Sequence, residues 1–174
     1  KVNNIVVSAG TRDDGIARSL ECDDFFNTYN IVDERSAAFF AIGLIQELNK
    51  PVAIVCTAGT AAVNYLTGVT EAFKRNLPLI VITADKNPYY YNQFEDQMVD
   101  QINLFKSVVK HSVSLPIVKD LKDEWYCKRL LNEAFLEINH HGVGPVHINI
   151  PIEEGMFAIG NTFTTTELPK VKCI

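Results

Sequence analysis

Residues 51–65 read Pro51-Val52-Ala53-Ile54-Val55-Cys56-Thr57-Ala58-Gly59-Thr60-Ala61-Ala62-Val63-Asn64-Tyr65. The run Val52–Cys56 is apolar at every position and rich in Val and Ile, and it is too short for a helix. Such a run reads as a strand covered on both faces. A helical pattern follows without delay: Ala62, Tyr65, Leu66, Val69, Ala72 and Phe73 recur at intervals of three and four from Thr60 to Arg75. Asn76 and Pro78 end it. A buried strand feeding an amphipathic helix is half of a strand-helix-strand crossover.

The same alternation extends in both directions. Asn4–Ser8, Tyr29–Val32 and Leu79–Thr83 read as strands, and Val146–Ile150 as another. Val113–Leu115 is a weaker one. Between them, Glu34–Leu48 carries Ala37, Ala38, Ala41, Ile42, Ile45 and Leu48 on one face and is stopped by Pro51. Leu121–Ile138 carries Trp125, Leu130, Leu131, Ala134 and Phe135, with Asp120 as N-cap and Asp123 in the first turn. Gly142, Gly144 and Pro145 turn the chain into the last strand. Repeated crossovers are right-handed, so the fold class is α/β: a doubly wound, mostly parallel sheet with helices on both faces.

At 174 residues the chain has the length of one domain. The expected division is an α/β domain over residues 1–154 and a linker over 155–174, where the pattern gives way to Thr162, Thr164, Thr165 and Thr166. Starting at Lys1 and stopping at Ile174, it reads as a fragment of a longer protein. The net charge of -5 argues against a nucleic-acid partner, which needs clustered Lys and Arg. No apolar run is long enough for a membrane helix, and no signal peptide opens the chain. Cys22, Cys56, Cys127 and Cys173 form no CxxC pair, so the expectation is free thiols, no metal site, and a cytoplasmic setting.

Ligands of such sheets bind beyond the carboxyl ends of the strands. That places Ser8–Arg12, Asp33–Ser36, Thr57–Thr60 and Ala84–Pro88 on one rim, followed by a long polar segment to Gln101. Glu34 stands where a strand ends and a helix begins. It can serve the helix dipole, or it can hold a ligand nitrogen or a proton. Gly59-Thr60 can hold an anion at a helix N-terminus or be a tight turn with a cap; it is neither G-x-G-x-x-G nor a P-loop. Arg12 can clamp a carboxylate or stand in solvent. His147 inside a strand reads as structural. Tyr89, Tyr90 and Tyr91 lie in a loop, lining a site, a subunit contact or plain surface.

Four blocks in series carry a resemblance: Asp33-Glu34-Arg35-Ser36-Ala37-Ala38, Thr57-Ala58-Gly59-Thr60-Ala61-Ala62, Thr83-Ala84-Asp85 and Gly144-Pro145-Val146-His147-Ile148-Asn149-Ile150-Pro151. From about Asn4 to Ile152 the chain resembles the pyrimidine-binding, N-terminal domain of thiamine diphosphate enzymes, most of all the 2-succinyl-5-enolpyruvyl-6-hydroxy-3-cyclohexene-1-carboxylate (SEPHCHC) synthases of menaquinone biosynthesis. The resemblance implies a catalytic role for Glu34: bonding N1′ of the aminopyrimidine, it promotes the tautomer that deprotonates the thiazolium carbon, which then attacks a 2-oxo acid and releases CO2. It implies cofactor binding by Glu34, Thr57, Gly59 and Thr60. It implies Mg²⁺ held by another domain, since the Gly-Asp-Gly…Asn motif for it is not in this chain, and so an inactive isolated domain. It implies a homo-oligomer, dimer or tetramer, with the site between subunits.

By the same resemblance, substrate contacts fall to Thr11, Arg12, Lys86, Asp96 and Gln97. Three departures from the family pattern bear on the acceptor. Lys86 replaces an Arg, losing the bidentate fork. Asp96 replaces an Asn, placing negative charge where isochorismate would bind. Asp13 and Asp14 replace small uncharged residues. The expected reaction is decarboxylation of 2-oxoglutarate and transfer of the acyl carbanion to isochorismate. The alternatives are a carboligase or decarboxylase of the acetolactate-synthase kind, and a non-catalytic module of the same fold.

Overall fold

The computed structural model of the protein describes residues 2–152. The expected linker, 155–174, lies outside them. In chain order the elements are β1 (Asn4–Ser8), α1 (Asp14–Glu21), β2 (Asn27–Asn30), α2 (Glu34–Leu48), β3 (Val52–Cys56), α3 (Thr60–Lys74), β4 (Leu79–Asp85), a 3-10 turn (Pro88–Tyr90), α4 (Gln101–Leu104), β5 (His111–Ser114), α5 (Leu121–Glu137) and β6 (Val146–Pro151). All strand pairs are parallel, in the order β2-β1-β3-β4-β6-β5.

The sheet is covered on both faces, and its central strand β3 is accordingly apolar at every position. Along β3, Val52, Ile54 and Cys56 join one cluster with Ala37, Ala41 and Ile45 of α2 and Ala62, Tyr65 and Val69 of α3. Ala53 and Val55 join the other, with Ala17 of α1 and Ala134 and Ile138 next to or in α5. The two helices of the first face approach closely: a Cβ on Gly68 would lie 2.5 Å from the Ala38 Cβ. The small residues after Arg35 therefore serve packing. Asn49, in the left-handed region at φ 52°, closes α2 by donating its N–H to Ile45 O, and Pro51 prevents continuation.

β1, β3, α2 and α3 lie where the periodicity placed them, and Asp120 caps α5, accepting from the amides of Lys122 and Asp123. Corrections concern the less apolar elements. β2 lies at Asn27–Asn30, not Tyr29–Val32; it is an edge strand, and Val32, 92% exposed, has already left the sheet. β5 lies at His111–Ser114, not Val113–Leu115, because Ser112 and Val113 pair with His147 and Ile148. β4 continues past Thr83 to Asp85, and β6 to Pro151. Helices α1 and α4 were not foreseen. The first has Gly15 near its start and buries only Ala17; the second is one turn long.

From β1 the chain steps outward to β2, then returns past β1 to build β3, β4, β6 and β5. The loops after β1 and β3 thus run to opposite sides, and their parting opens a crevice at the carboxyl ends.

Candidate functional site

Glu34 opens α2 beside that crevice and is half-buried. The helix needs no cap from it, because Asp33 fills that position and accepts from the Ser36 amide at 2.7 Å. Glu34 is free for another role. Its charge reaches Asp13, Cys56 and Tyr65, adding to the burial that raises the pKa of each. Those three lie on the β1–α1 loop, at the end of β3 and on α3, so Glu34 stands over the switch point.

The two crevice loops are tied together. The Arg12 amide donates to Thr57 Oγ1 at 3.1 Å, and a Cβ on Gly10 would lie 2.5 Å from the Thr57 methyl. Only glycine permits that approach. Beneath them Tyr65 Oη donates to Val55 O at 2.7 Å and lies 3.3 Å from Ser8 Oγ, which donates to Ile31 O. Asp13 is fully buried. Its Oδ1 accepts from the Gly10 amide at 2.7 Å, while Oδ2 has no partner. Burial pushes this carboxyl up to about 6.

Gly59 sits at φ 79°, and a Cβ there would lie 1.9 Å from Gln97 O. Its amide donates to Gln101 Oε1 at 2.6 Å. Thr57 and Thr60 flank this turn; Thr57 is half-buried and Thr60 exposed, with α3 beginning at Thr60.

On the far side, Asp85 is buried at the end of β4. Burial raises its pKa, against hydrogen bonds from Tyr91 Oη (2.6 Å), Asn149 Nδ2 (2.8 Å) and the Lys86 amide (2.7 Å), and against the charge of Arg12. Asn149 Oδ1 accepts from Thr83 Oγ1 and Gln101 Nε2, and Thr83 Oγ1 meets His147 Nε2 at 2.9 Å. His147 Nδ1 meets Ser112 Oγ at 2.8 Å, and its ring packs on Phe105. As Thr83 spends its proton on Asn149, His147 must donate from Nε2 and accept at Nδ1. Burial pushes its pKa down to about 3, so it is neutral and structural.

Among the expected substrate residues, Thr11 and Arg12 lie on the crevice loop, and Arg12 Nη1 donates to Ile152 O at 3.2 Å. Lys86 Nζ is engaged with Glu95 Oε1 (2.9 Å), Asp96 Oδ1 (3.1 Å) and Asp96 O (2.8 Å). The negative charge of Asp96 thus stands against the positive charge of Lys86. Gln97 is exposed and meets the site through its carbonyl, above Gly59. Sequence reasoning missed Gln101, Asn149 and the burial of Asp13. For Asn149 the signal was a polar residue set among apolar ones in a strand; Gln101, opening α4, carried no local signal.

The doubly wound parallel sheet, with loops parting at its switch point, defines an α/β domain of the class that takes ligands at the carboxyl ends of its strands. Residues 1–104 match the family described as thiamine pyrophosphate enzyme, N-terminal TPP binding domain, and the chain belongs to it. It is similar to the SEPHCHC synthase of Bacteroides fragilis, 45% identical over 173 residues, covering 99% of this chain and 30% of that protein. The SEPHCHC synthase of Desulfotalea psychrophila is 39% identical over 157 residues, covering 90% of this chain and 29% of the relative. That of Staphylococcus aureus strain USA300 is 36% identical over 156 residues, 88% and 28%. The chain thus spans under a third of the length of the curated relatives it matches. No helix of the described residues is long and apolar enough to cross a membrane.

Proposed function

We propose that this chain is the pyrimidine-binding domain of a thiamine diphosphate-dependent SEPHCHC synthase, which decarboxylates 2-oxoglutarate and joins the resulting acyl unit to isochorismate. One observation carries the reading: a half-buried Glu34, released from capping by Asp33, stands over the switch point of the sheet. The relatives' printed names give the product of the synthase, and the resemblance supplies the oxo acid and the acceptor.

The chemistry of the donor set fits an aminopyrimidine: Glu34 offers a carboxylate that caps no helix, and the Thr57 hydroxyl, accepting from the Arg12 amide, keeps its own proton to donate, while Gly10 and Gly59 let the loops close against Thr57 and the Gln97 carbonyl. Glu34 would hold N1′ of the ring and carry the proton exchanged there. Thr57, Gly59 and Thr60 would hold the ring edge. When bound, the cofactor supplies the stabilised carbanion that lets CO2 leave a 2-oxo acid. Arg12 and Thr11 would meet a substrate carboxylate at the rim, with Lys86, Asp96 and Gln97 closing it from the opposite loop. A second α/β domain, from a partner subunit, would hold the diphosphate and Mg²⁺, which makes the enzyme a homo-oligomer.

The test uses the full-length protein with thiamine diphosphate and Mg²⁺. CO2 release from 2-oxoglutarate, with product formed only when isochorismate is present, is expected. Glu34→Gln should lower turnover about 10²–10⁴-fold with the fold intact by circular dichroism. Turnover of pyruvate in place of 2-oxoglutarate would move the protein to the acetolactate-synthase kind. No turnover of any oxo acid would leave only the fold.

A further inference from the structure

Gln101 is fully buried, and its amide makes three hydrogen bonds to three separate segments. Oε1 accepts from the Gly59 amide at 2.6 Å; Nε2 donates to Ala84 O at 3.0 Å and to Asn149 Oδ1 at 3.1 Å. The orientation is forced, because a backbone N–H must find an oxygen and a backbone carbonyl must find an N–H. Gly59 is therefore gripped twice. The Gln101 side chain holds its amide, and the Gln97 carbonyl lies where its Cβ would be. Both grips come from one segment, 97–101, while Thr57 and Thr60 flank the glycine they hold. Through Asn149 the same side chain reaches Asp85, whose other oxygen fixes the Lys86 amide.

We infer that Gln101 is a positioning residue: it sets the Gly59 turn so that Thr57 and Thr60 meet the cofactor, and couples that turn to the substrate loop at Asp85–Lys86. The inference rests on the cofactor reading above. A merely structural Gln101 would contribute packing and buried hydrogen bonds, and its loss would lower stability alone. A positioning Gln101 leaves the Gly59 amide without its acceptor when removed, so cofactor affinity falls in the molecules that remain folded.

Two variants of the full-length protein and one control separate these roles. Titration calorimetry with thiamine diphosphate and Mg²⁺ measures affinity, and thermal unfolding of the cofactor-free protein measures stability. Gln101→Leu deletes all three bonds and should weaken cofactor binding tenfold or more. Ser112→Ala removes a bond from the same buried network, at the far side of His147, and should lower Tm while leaving affinity within twofold. Gln101→Glu keeps the oxygen toward Gly59. While its carboxyl is protonated it restores one of the two donated bonds, so affinity relative to the unsubstituted protein should be partly restored at low pH and fall as pH rises. That pH-dependent rescue is not expected of a cavity or a packing defect. Gln101→Leu binding within twofold of the unsubstituted protein, or Gln101→Glu showing no pH-dependent rescue, would overturn the inference. Failure of the unsubstituted protein to bind thiamine diphosphate would overturn the cofactor reading itself, a different result from either.

Discussion

The two sides of the crevice solve opposite problems with similar residue types. On the β4–β6–β5 side, Asp85, Thr83, Asn149, Gln101 and His147 form one buried network in which every proton has a taker. Asn149 alone makes four hydrogen bonds, to Asp85, Ser114, Thr83 and Gln101. On the β1–β3 side, Asp13 is as deeply buried, yet one of its oxygens has no partner, and Glu34 stands half-buried with its capping duty taken by a neighbour. A saturated network locks backbone in place, while unsatisfied polar groups are kept where a ligand or a proton is to arrive. The contrast separates the frame of the site from its working edge.

His147 on the saturated side and Asp13 on the working edge should respond to pH in opposite senses, and the larger expected effect is that of His147. His147 has a folded pKa near 3 against an ordinary 6.5. The unfolded chain takes up that proton first, so stability is complete above 6.5 and is lost as pH falls toward 3. The full loss is on the order of 4 kcal/mol. Urea unfolding of the full-length protein from pH 7 to 4 should show this acid slope, and His147→Gln should flatten it. An unchanged slope would mean the ring is not held neutral by burial.

Next comes the hinge between the two sides. Gly59→Ala puts a Cβ at φ 79°, against the Gln97 carbonyl. Destabilisation of about 3 kcal/mol is expected, read as a lowered urea midpoint, with weakened cofactor binding. A change under 1 kcal/mol would show that segment 97–101 gives way without cost.

Asp13→Asn tests the working edge. With a folded pKa of about 6 against 3.8 unfolded, the folded state holds the extra proton between those values. Stability is complete below 3.8 and declines as pH rises through 6. At pH 7 the penalty is about 2 kcal/mol after allowance for residual solvation. The Asn variant should therefore gain on the unsubstituted protein between pH 4 and 7, whatever its stability at pH 4. A pH-independent difference would remove Asp13 from the contrast.

The smallest effect belongs to the rim. Asp96 is 84% exposed on its side chain, and Lys86 keeps Glu95 when it is gone. Asp96→Asn should change stability by no more than about 0.5 kcal/mol, measured as above. If the proposed function holds, its consequence should appear in the KM for isochorismate, which falls because a negative charge leaves the rim while Lys86 stays paired with Glu95.

How far the sequence could be read depended on local signal. β3 and α3 were legible because an unbroken apolar run and a three-to-four spacing each have one reading. β2 was misplaced because an edge strand of Asn27, Thr28, Tyr29 and Asn30 has no such run. α1 was missed because it buries a single residue. Glu34, Thr57, Gly59 and Thr60 were legible as positions on the rim; the roles the resemblance implies for them belong to the proposal above. Gln101 was seen only as the end of a polar loop, since nothing local distinguishes a buried amide from an exposed one.

By itself the sequence determined the alternation of strand and helix, the parallel sheet that alternation demands, and the rim on which the chemistry falls. Those follow from periodicity, which is a property of neighbours along the chain. The tertiary structure alone decided that Gly59 is held by a residue 42 positions away, that Asp13 is stripped of solvent, and that Lys86 faces Asp96. Hydrogen bonds and desolvation depend on distance in space, and only the folded sheet brings these residues together.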